Sequence, residues 1–412
     1  MRLLHITTYY PSHLGQFYAN HPDLATQSYE TQHAALMAEC YRWANFFSSE
    51  LGKLGYEASD IVSNAEPLQK AWANEHGIHC SSNDWMHDVV FAQIAQIRPE
   101  ILLLGEWPDE FGPQFVTRCR TICPSIKLVV GWCGEAHPPA PYFRNHDLAL
   151  SCAPDTVADL NRQGIKSAHL NHAFAPAIVP RLQSLSARDI TTIPVGFVGQ
   201  VLYGNNYHSN RARLFAAVAQ ATGLRIFGSV EDLGTDKPAR GSRRRLRLAY
   251  YGGLRLLDGL GLSRFAERFP RYGWYREAEN RPIFTRLRQV ASKPLFGLQM
   301  YERIKHFHIC LNAHGSSPFA SNMRLFETTG VGTCLLTDWK RNLPDLFEPD
   351  REVVTYRTAE ECIEKVRYLL NHEDARQAIA AAGQKRTLRD HTFTQRAEQL
   401  DGIIRAALKL KS

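Results

Sequence analysis

The sequence lacks a membrane span. Its apolar runs are short, as at 101–104, and none approaches the roughly 18 residues a spanning helix needs. Its opening, Met1-Arg2-Leu3-Leu4-His5-Ile6, lacks the apolar core and small-residue cleavage site of a secretory leader, so a cytoplasmic location is expected. The nine cysteines are scattered, with no Cys-x2-Cys pair. That pattern excludes a disulfide framework and argues against a zinc centre. Low-complexity tracts, short internal repeats and a recognisable nucleic-acid-binding module are also missing. No aspartate pair suited to a divalent ion stands out, so neither a metal nor a cofactor is expected.

What is present is an ordinary globular composition. The chain has 412 residues, 44% hydrophobic and 22% charged. At about 100–200 residues per domain, it should form two domains. The net charge of +7 is uneven: residues 231–290 carry fourteen Lys and Arg against seven Asp and Glu, so the remainder is neutral. A generic polyanion binder is thereby excluded, and nucleic acid is not an expected partner. One basic segment remains as a contact surface for something acidic. Its centre, Arg243, Arg244, Arg245 and Arg247 followed by Leu and Tyr, fits peripheral contact with the inner membrane face or an anionic or lipid-diphosphate acceptor. It fits a solvated helical excursion equally well.

Short apolar strands alternate with helical patterns through both halves, which predicts an α/β fold with parallel sheets covered on both faces. In the first half, strands are expected at 3–8, 57–62, 101–104, 127–132, 147–151 and 168–171. A single long helix is expected at 29–54, and another at 84–97 with Asn83 as its cap. The pattern breaks at 176–193, which reads as a linker. It restarts with strands at 195–201, 224–227, 309–313 and 333–337, and helices at 210–221, 299–306, 323–329, 359–371, 373–391 and 392–410. Two doubly wound domains facing across a cleft follow, at 1–178 and 190–391, with the basic insertion inside the second. Ligands should sit at the carboxyl ends of the strands.

The sharpest motif is Asn322-Met323-Arg324-Leu-Phe-Glu327, which follows a strand ending at Asn312-Ala313-His314 and a polar loop. A helix starting near Asn322 would aim backbone N–H groups and Arg324 at an anion, and Glu327 could accept bonds from vicinal hydroxyls. A plain strand–helix–strand unit, with Asn322 as a cap and Glu327 on a solvated face, explains the spacing equally well. Gly196-Phe-Val-Gly199 is not a G-x-G-x-x-G fingerprint, but two glycines on a strand and its following loop permit close approach of a phosphate. Arg211, on the next helix, reads as a surface residue.

These features together resemble GT-B sugar-nucleotide glycosyltransferases, and in particular the CgeB-like group. The resemblance rests on Asn322-x-Arg-x-Phe-Glu327, Gly332, Leu343-x3-Phe347 and His391-Thr-Phe-x2-Arg396, within residues 295–399. It implies two Rossmann-like domains, with the last helix, 392–412, crossing back to complete the first. It also implies a nucleoside-diphosphate sugar as donor, bound by Glu327 at the ribose and by Asn322, Met323 and Arg324 near the diphosphate. His314, Gly196 and Gly199 join the donor set. The acceptor, a glycan, lipid-linked glycan or small-molecule hydroxyl, would be held by the first domain. One departure is clear: many retaining relatives carry a glutamate eight residues before Glu327, where this chain has Phe319. A nucleotide-sugar epimerase or hydrolase of the same fold, or a non-catalytic nucleotide-sugar-binding scaffold, are the alternatives.

For catalysis, Glu135 and His137 follow the strand at 127–132 and are the candidate acid–base residues. Glu106 and Asp109 occupy the equivalent place after the strand at 101–104. His13 and Gly15, in an expected loop after the first strand, could approach either substrate. His172 reads as hinge packing.

Overall fold

The computed structural model of the chain describes residues 1–80, 84–105, 110–134, 140–185, 190–203, 209–232, 286–315 and 317–409, with 253, 256–257, 260–262 and 268 inside the insertion. Two six-stranded sheets carry the architecture. In the first, β1 (Arg2–Thr7), β2 (Glu57–Val62), β3 (Ile101–Leu104), β4 (Leu128–Cys133), β5 (Leu148–Ser151) and β6 (Ser167–His169) lie in the order β2-β1-β3-β4-β5-β6. The second is built from β7 (Ile193–Val198), β9 (Arg225–Phe227), β11 (Ala291–Ser292), β12 (Phe307–Asn312), β13 (Cys334–Asp338) and β14 (Val354–Tyr356). Its order is β11-β9-β7-β12-β13-β14. A short pair, β8 (Val201–Tyr203) with β10 (Val230–Asp232), sits beside it. All these pairings are parallel.

The central strands are apolar because both faces are covered. Ile101–Leu104 and Leu128–Cys133 are buried throughout. Parallel strands covered by helices lose the polar-out alternation of half-exposed sheets. One apolar cluster runs from Leu3, Phe47 and Trp132 beside the first sheet through Phe174 to Tyr301, Phe326 and Phe393. The last helix, Phe393–Lys409, rests on the helix Phe46–Lys53: Phe393 packs on Phe46 and Phe47, both at 5.0 Å, and Tyr56 donates to Asp401 at 2.6 Å.

The structure corrects four local expectations. The single helix expected over 29–54 is two helices, Tyr29–Ala38 and Phe46–Lys53. The break between them contains Cys40, Arg42 and Ala44, all at positive φ (54°, 55° and 43°), which a helix cannot hold. The loop expected around His13 and Gly15 is the helix Pro11–Asn20, started by a proline whose missing N–H costs nothing there. The linker at 176–193 contains the helix Ile178–Leu185, with Ile178 and Leu182 buried. Asn83 lies outside the described residues; the residue before the helix Trp85–Ile97 is Asp84, whose side chain binds His87 Nδ1 at 2.7 Å instead of capping.

Candidate functional site

In the second sheet, chain order runs outward from β7 in one direction and from β12 in the other. The crevice between their carboxyl ends is the switch point where such sheets take ligands. Arg211 spans it, with Nη2 donating to Ala313 O at 2.7 Å and Nη1 to Gln200 O at 3.3 Å. It is therefore a strut between the two loops and not the surface residue expected. Gly199 stands at the end of β7 with φ +146°, and a Cβ on Gly228 would come within 1.9 Å of its carbonyl oxygen. Gly196 is different. It lies inside β7, and a Cβ there would strike the Phe307 ring at 2.3 Å. Packing, and not access to a phosphate, explains that glycine.

Asn322 does not cap the following helix. Its amide donates to Asn312 Oδ1 at 2.8 Å, while Asn312 donates to Thr337 at 3.0 Å, so the 317–323 loop is tied to the sheet. The helix itself is short, Arg324–Gly330, with Met323 at its N-cap and no side-chain cap bond. Glu327 is 4% exposed, which rules out a solvated face. Its carboxylate meets Arg324 Nη1 at 2.8 Å and accepts from Tyr301 OH at 3.3 Å. Burial, then the charge of Glu327, holds the Tyr301 hydroxyl well above its ordinary value, so it remains a donor. Arg324 Nη1 also lies 3.3 Å from Met300 Sδ. Phe319, at the place of the missing glutamate, carries the Arg341 guanidinium 5.9 Å from its ring centroid.

His314 follows β12 with its ring buried. Nδ1 lies 2.7 Å from Asp338 Oδ1, and its backbone N–H donates to the same carboxylate at 3.0 and 3.1 Å. Lys340 Nζ stands 3.1 Å from the other oxygen of that group. Burial alone would raise the Asp338 carboxyl, but His314 and Lys340 outweigh it and hold it below the usual value. His314 Nε2 is buried without a partner. Glu327, Arg324, Asn322 and His314 thus share the carboxyl-end side of the second sheet, and Gly199 joins them.

On the first sheet, Glu135 and His137 lie outside the described residues, as do Glu106 and Asp109, and the four arginines 243–245 and 247. Within the same insertion Leu256, Leu260 and Leu262 are exposed. His13 is a packing residue: its ring lies 4.0 Å from Tyr41 and 5.2 Å from Phe296, and burial lowers it to about 4. His172 lies between Trp43 and Trp132, lowered to about 3 by burial first and by Arg42 and Arg396 next. Among the described residues no group of three or more His, Cys, Asp or Glu is gathered as for a metal ion.

Sequence reasoning missed His5 entirely. It sits in β1 directly across from Asp60 in β2, with Nδ1 2.9 Å from Asp60 Oδ1, and Ser48 donates to the second oxygen. The available signal was period two: His5 and Thr7 put polar atoms on one face of a buried strand.

Residues 211–402 match the sequence model of a family described as glycosyl transferase-like. No curated protein matches the chain. Among solved structures, an α-glucosyltransferase in complex with UDP-glucose and DNA containing an abasic site aligns with TM-score 0.56 at 10% identity, covering 98% of this chain and 99% of that one. Anabaena Alr3699/HepE in complex with UDP-glucose aligns at 0.53 and 9% identity, covering 98% and 100%. Sucrose-phosphate synthase from Thermosynechococcus elongatus aligns at 0.51 and 11% identity over 100% of both chains. The fold is GT-B, as the sequence led us to expect.

Proposed function

We propose that this GT-B chain, glycosyl transferase-like through its second half, moves a sugar from a nucleoside-diphosphate donor to an acceptor hydroxyl. The acceptor would belong to a glycan, a lipid-linked glycan or a small molecule. Within the family we place the chain with the CgeB-like group, on the Asn322–Glu327 block and His391-Thr-Phe-x2-Arg396. The observation that carries the reading is Glu327. A carboxylate 4% exposed, set one turn into a helix at the carboxyl side of the second sheet, is costly to bury unless it binds something. Tyr301 and Arg324 take up part of its capacity, and a carboxylate offers about four lone-pair positions, enough left for two vicinal ribose hydroxyls.

In this reading Arg324 turns its remaining N–H groups to the diphosphate, where negative charge grows as the bond to the sugar breaks. Gly199 leaves the end of β7 open to the donor, and Arg211 holds the loops on either side of it in register. Gly196 has no part. The UDP-glucose in two of the aligned structures supports a uridine nucleotide as the first donor to try.

The test is thermal denaturation of the purified protein with UDP, UDP-glucose, GDP and ADP. A ligand that binds only the native state raises the midpoint with the logarithm of its concentration above its dissociation constant. We expect one nucleotide to do so and Glu327→Ala to abolish the effect. No shift with any nucleotide would sink the transferase reading.

A further inference from the structure

The loop after β12 begins at His314 and leads into the Asn322–Glu327 block, so it borders the proposed donor site. Its described residues form neither helix nor strand, yet Ser317 and Ala320 are buried. Buried backbone groups outside regular structure must find partners elsewhere. Here the turn after β13 supplies them along the length of the loop. Asp338 accepts from the His314 N–H at 3.0 Å. Lys340 Nζ donates to Gly315 O at 3.1 Å and also to Ser317 O. The Arg341 N–H donates to Pro318 O at 3.2 Å. Asn342 makes a two-way pair with Ala320: its amide donates to the carbonyl at 2.9 Å, and its Oδ1 accepts from the N–H at 2.7 Å.

The turn is itself anchored. Trp339 N–H donates to Tyr356 O at 2.8 Å, on β14, and the Arg357 guanidinium lies 3.9 Å from the centroid of a Trp339 ring. A braced turn thus serves as a template for an irregular loop. The two meet where the strands of the second sheet end, on the side where such sheets take ligands.

Lys340 is at the centre of this contact. Its side chain is 12% exposed, and its third oxygen is Asp338 Oδ2 at 3.1 Å. An ammonium carries three N–H donors, and these three oxygens take them all. A lysine beside a site for an anion would ordinarily read as a phosphate ligand. This one has no donor left for a phosphate; its charge is directed at the protein's own loop. A loop already fixed need not be ordered by the ligand, and the entropy saved appears as affinity.

We propose that Lys340 and Asn342 are positioning residues, which hold the loop after β12 in its ligand-binding shape in the free protein, and that Lys340 does not touch the diphosphate. The role rests on the donor reading of the second sheet; the hold on the loop does not.

Hydrogen exchange and calorimetry on the full chain test it, with UDP, UDP-glucose, GDP and ADP as probes. Lys340→Met keeps an unbranched side chain and removes its N–H groups. Exchange should rise at residues 313–321 of the free variant, and a saturating nucleotide should restore the protection. Affinity should fall by about 3–10-fold, as when the competent loop is populated only about 10–30% of the time. The loss should lie in the binding entropy, since the ligand must then order the loop. Asn342→Ala, which leaves Lys340 in place, should move the same readouts in the same direction by a smaller factor, and it carries the test if Lys340→Met does not fold. A lysine that served stability alone would lower the urea midpoint with no protection restored by ligand at this segment. Unchanged exchange there in both variants would overturn the proposal. So would raised exchange with the affinity of the parent chain. Lost affinity with unchanged exchange would also overturn it, and would make Lys340 a direct phosphate ligand. If the parent chain binds none of the four nucleotides, the donor reading itself has failed and takes this role with it, whatever the exchange shows of the loop.

Discussion

Among the described residues, each sheet holds one histidine–aspartate pair with a buried imidazole, and the two are built differently. His5 and Asp60 face each other across neighbouring strands, one ladder step apart, with a serine hydroxyl on the far oxygen. His314 and Asp338 stand at the strand ends, and the far oxygen there meets a lysine. Both leave the histidine Nε2 without a partner. The difference is in charge. Asp338 also meets a lysine and pins the backbone of residue 314, whereas the Asp60 oxygens are held by an imidazole and a hydroxyl. The Asp338 cluster suits a loop that must hold still beside an anionic ligand; the Asp60 pair ties the helix Phe46–Lys53 to the first sheet.

The largest expected effect comes from deleting each carboxylate in turn. Asp338→Ala leaves Lys340, 12% exposed at its side chain, without its counter-charge and with only the Gly315 and Ser317 carbonyls, and breaking a buried pair costs about 3–5 kcal/mol, an upper bound for this partly exposed one. Asp60→Ala strands a serine hydroxyl and a histidine N–H, for about 1–3 kcal/mol. Urea denaturation of the two variants measures the gap. Equal losses would mean that burial, and not charge, sets the cost of these pairs.

Acid should separate the two halves next. Burial lowers His13 and His146 to about 4 and His172 to about 3, all beside the first sheet, while His391, lowered to about 4, lies against Phe326 and Phe347. In the unfolded chain a histidine takes its proton near pH 6.5; in the folded chain these four refuse it until far lower. The unfolded state thus binds more protons between those limits, and stability falls as pH drops from about 6.5 toward 4, by about 1.4 kcal/mol per pH unit for each histidine. The depressed Asp338 carboxyl adds nothing in that window, since its contribution is lost only at lower pH. Amide exchange at pH 7 and pH 5 should show protection lost first around β1, β4 and the helix Pro11–Asn20. Uniform loss across both sheets would break the comparison.

The fold was legible because alternating apolar strands and helices report a covered parallel sheet directly. Glu327 and Arg324 were legible because sequence-local spacing sets their geometry: they are three residues apart on one helix face. Gly196 misled because an absent side chain looks the same whether a phosphate or a phenyl ring needs the room. The break at Cys40–Arg42–Ala44 was invisible because none of those residues favours positive φ; the 39–44 turn is held by Gly297 and Leu298, more than 250 positions away. His5 was missed for a related reason. Its partner is 55 residues distant, and only strand register brings them together.

The smallest effect discriminates most finely. Ser48 reaches Asp60 from the helix Phe46–Lys53, the element entered through the strained turn. Ser48→Ala removes one hydrogen bond to the carboxylate and leaves His5 on the other oxygen, so stability should fall by only about 0.5–1.5 kcal/mol. UDP binding, which belongs to the second sheet in our reading, should stay constant. At Asp338 the Thr337 hydroxyl donates to the oxygen that His314 holds, at 3.4 Å, while Lys340 stands at the second, so there the far oxygen is held by a charge. If Ser48→Ala instead weakened UDP binding, the division of labour between the two pairs would be lost.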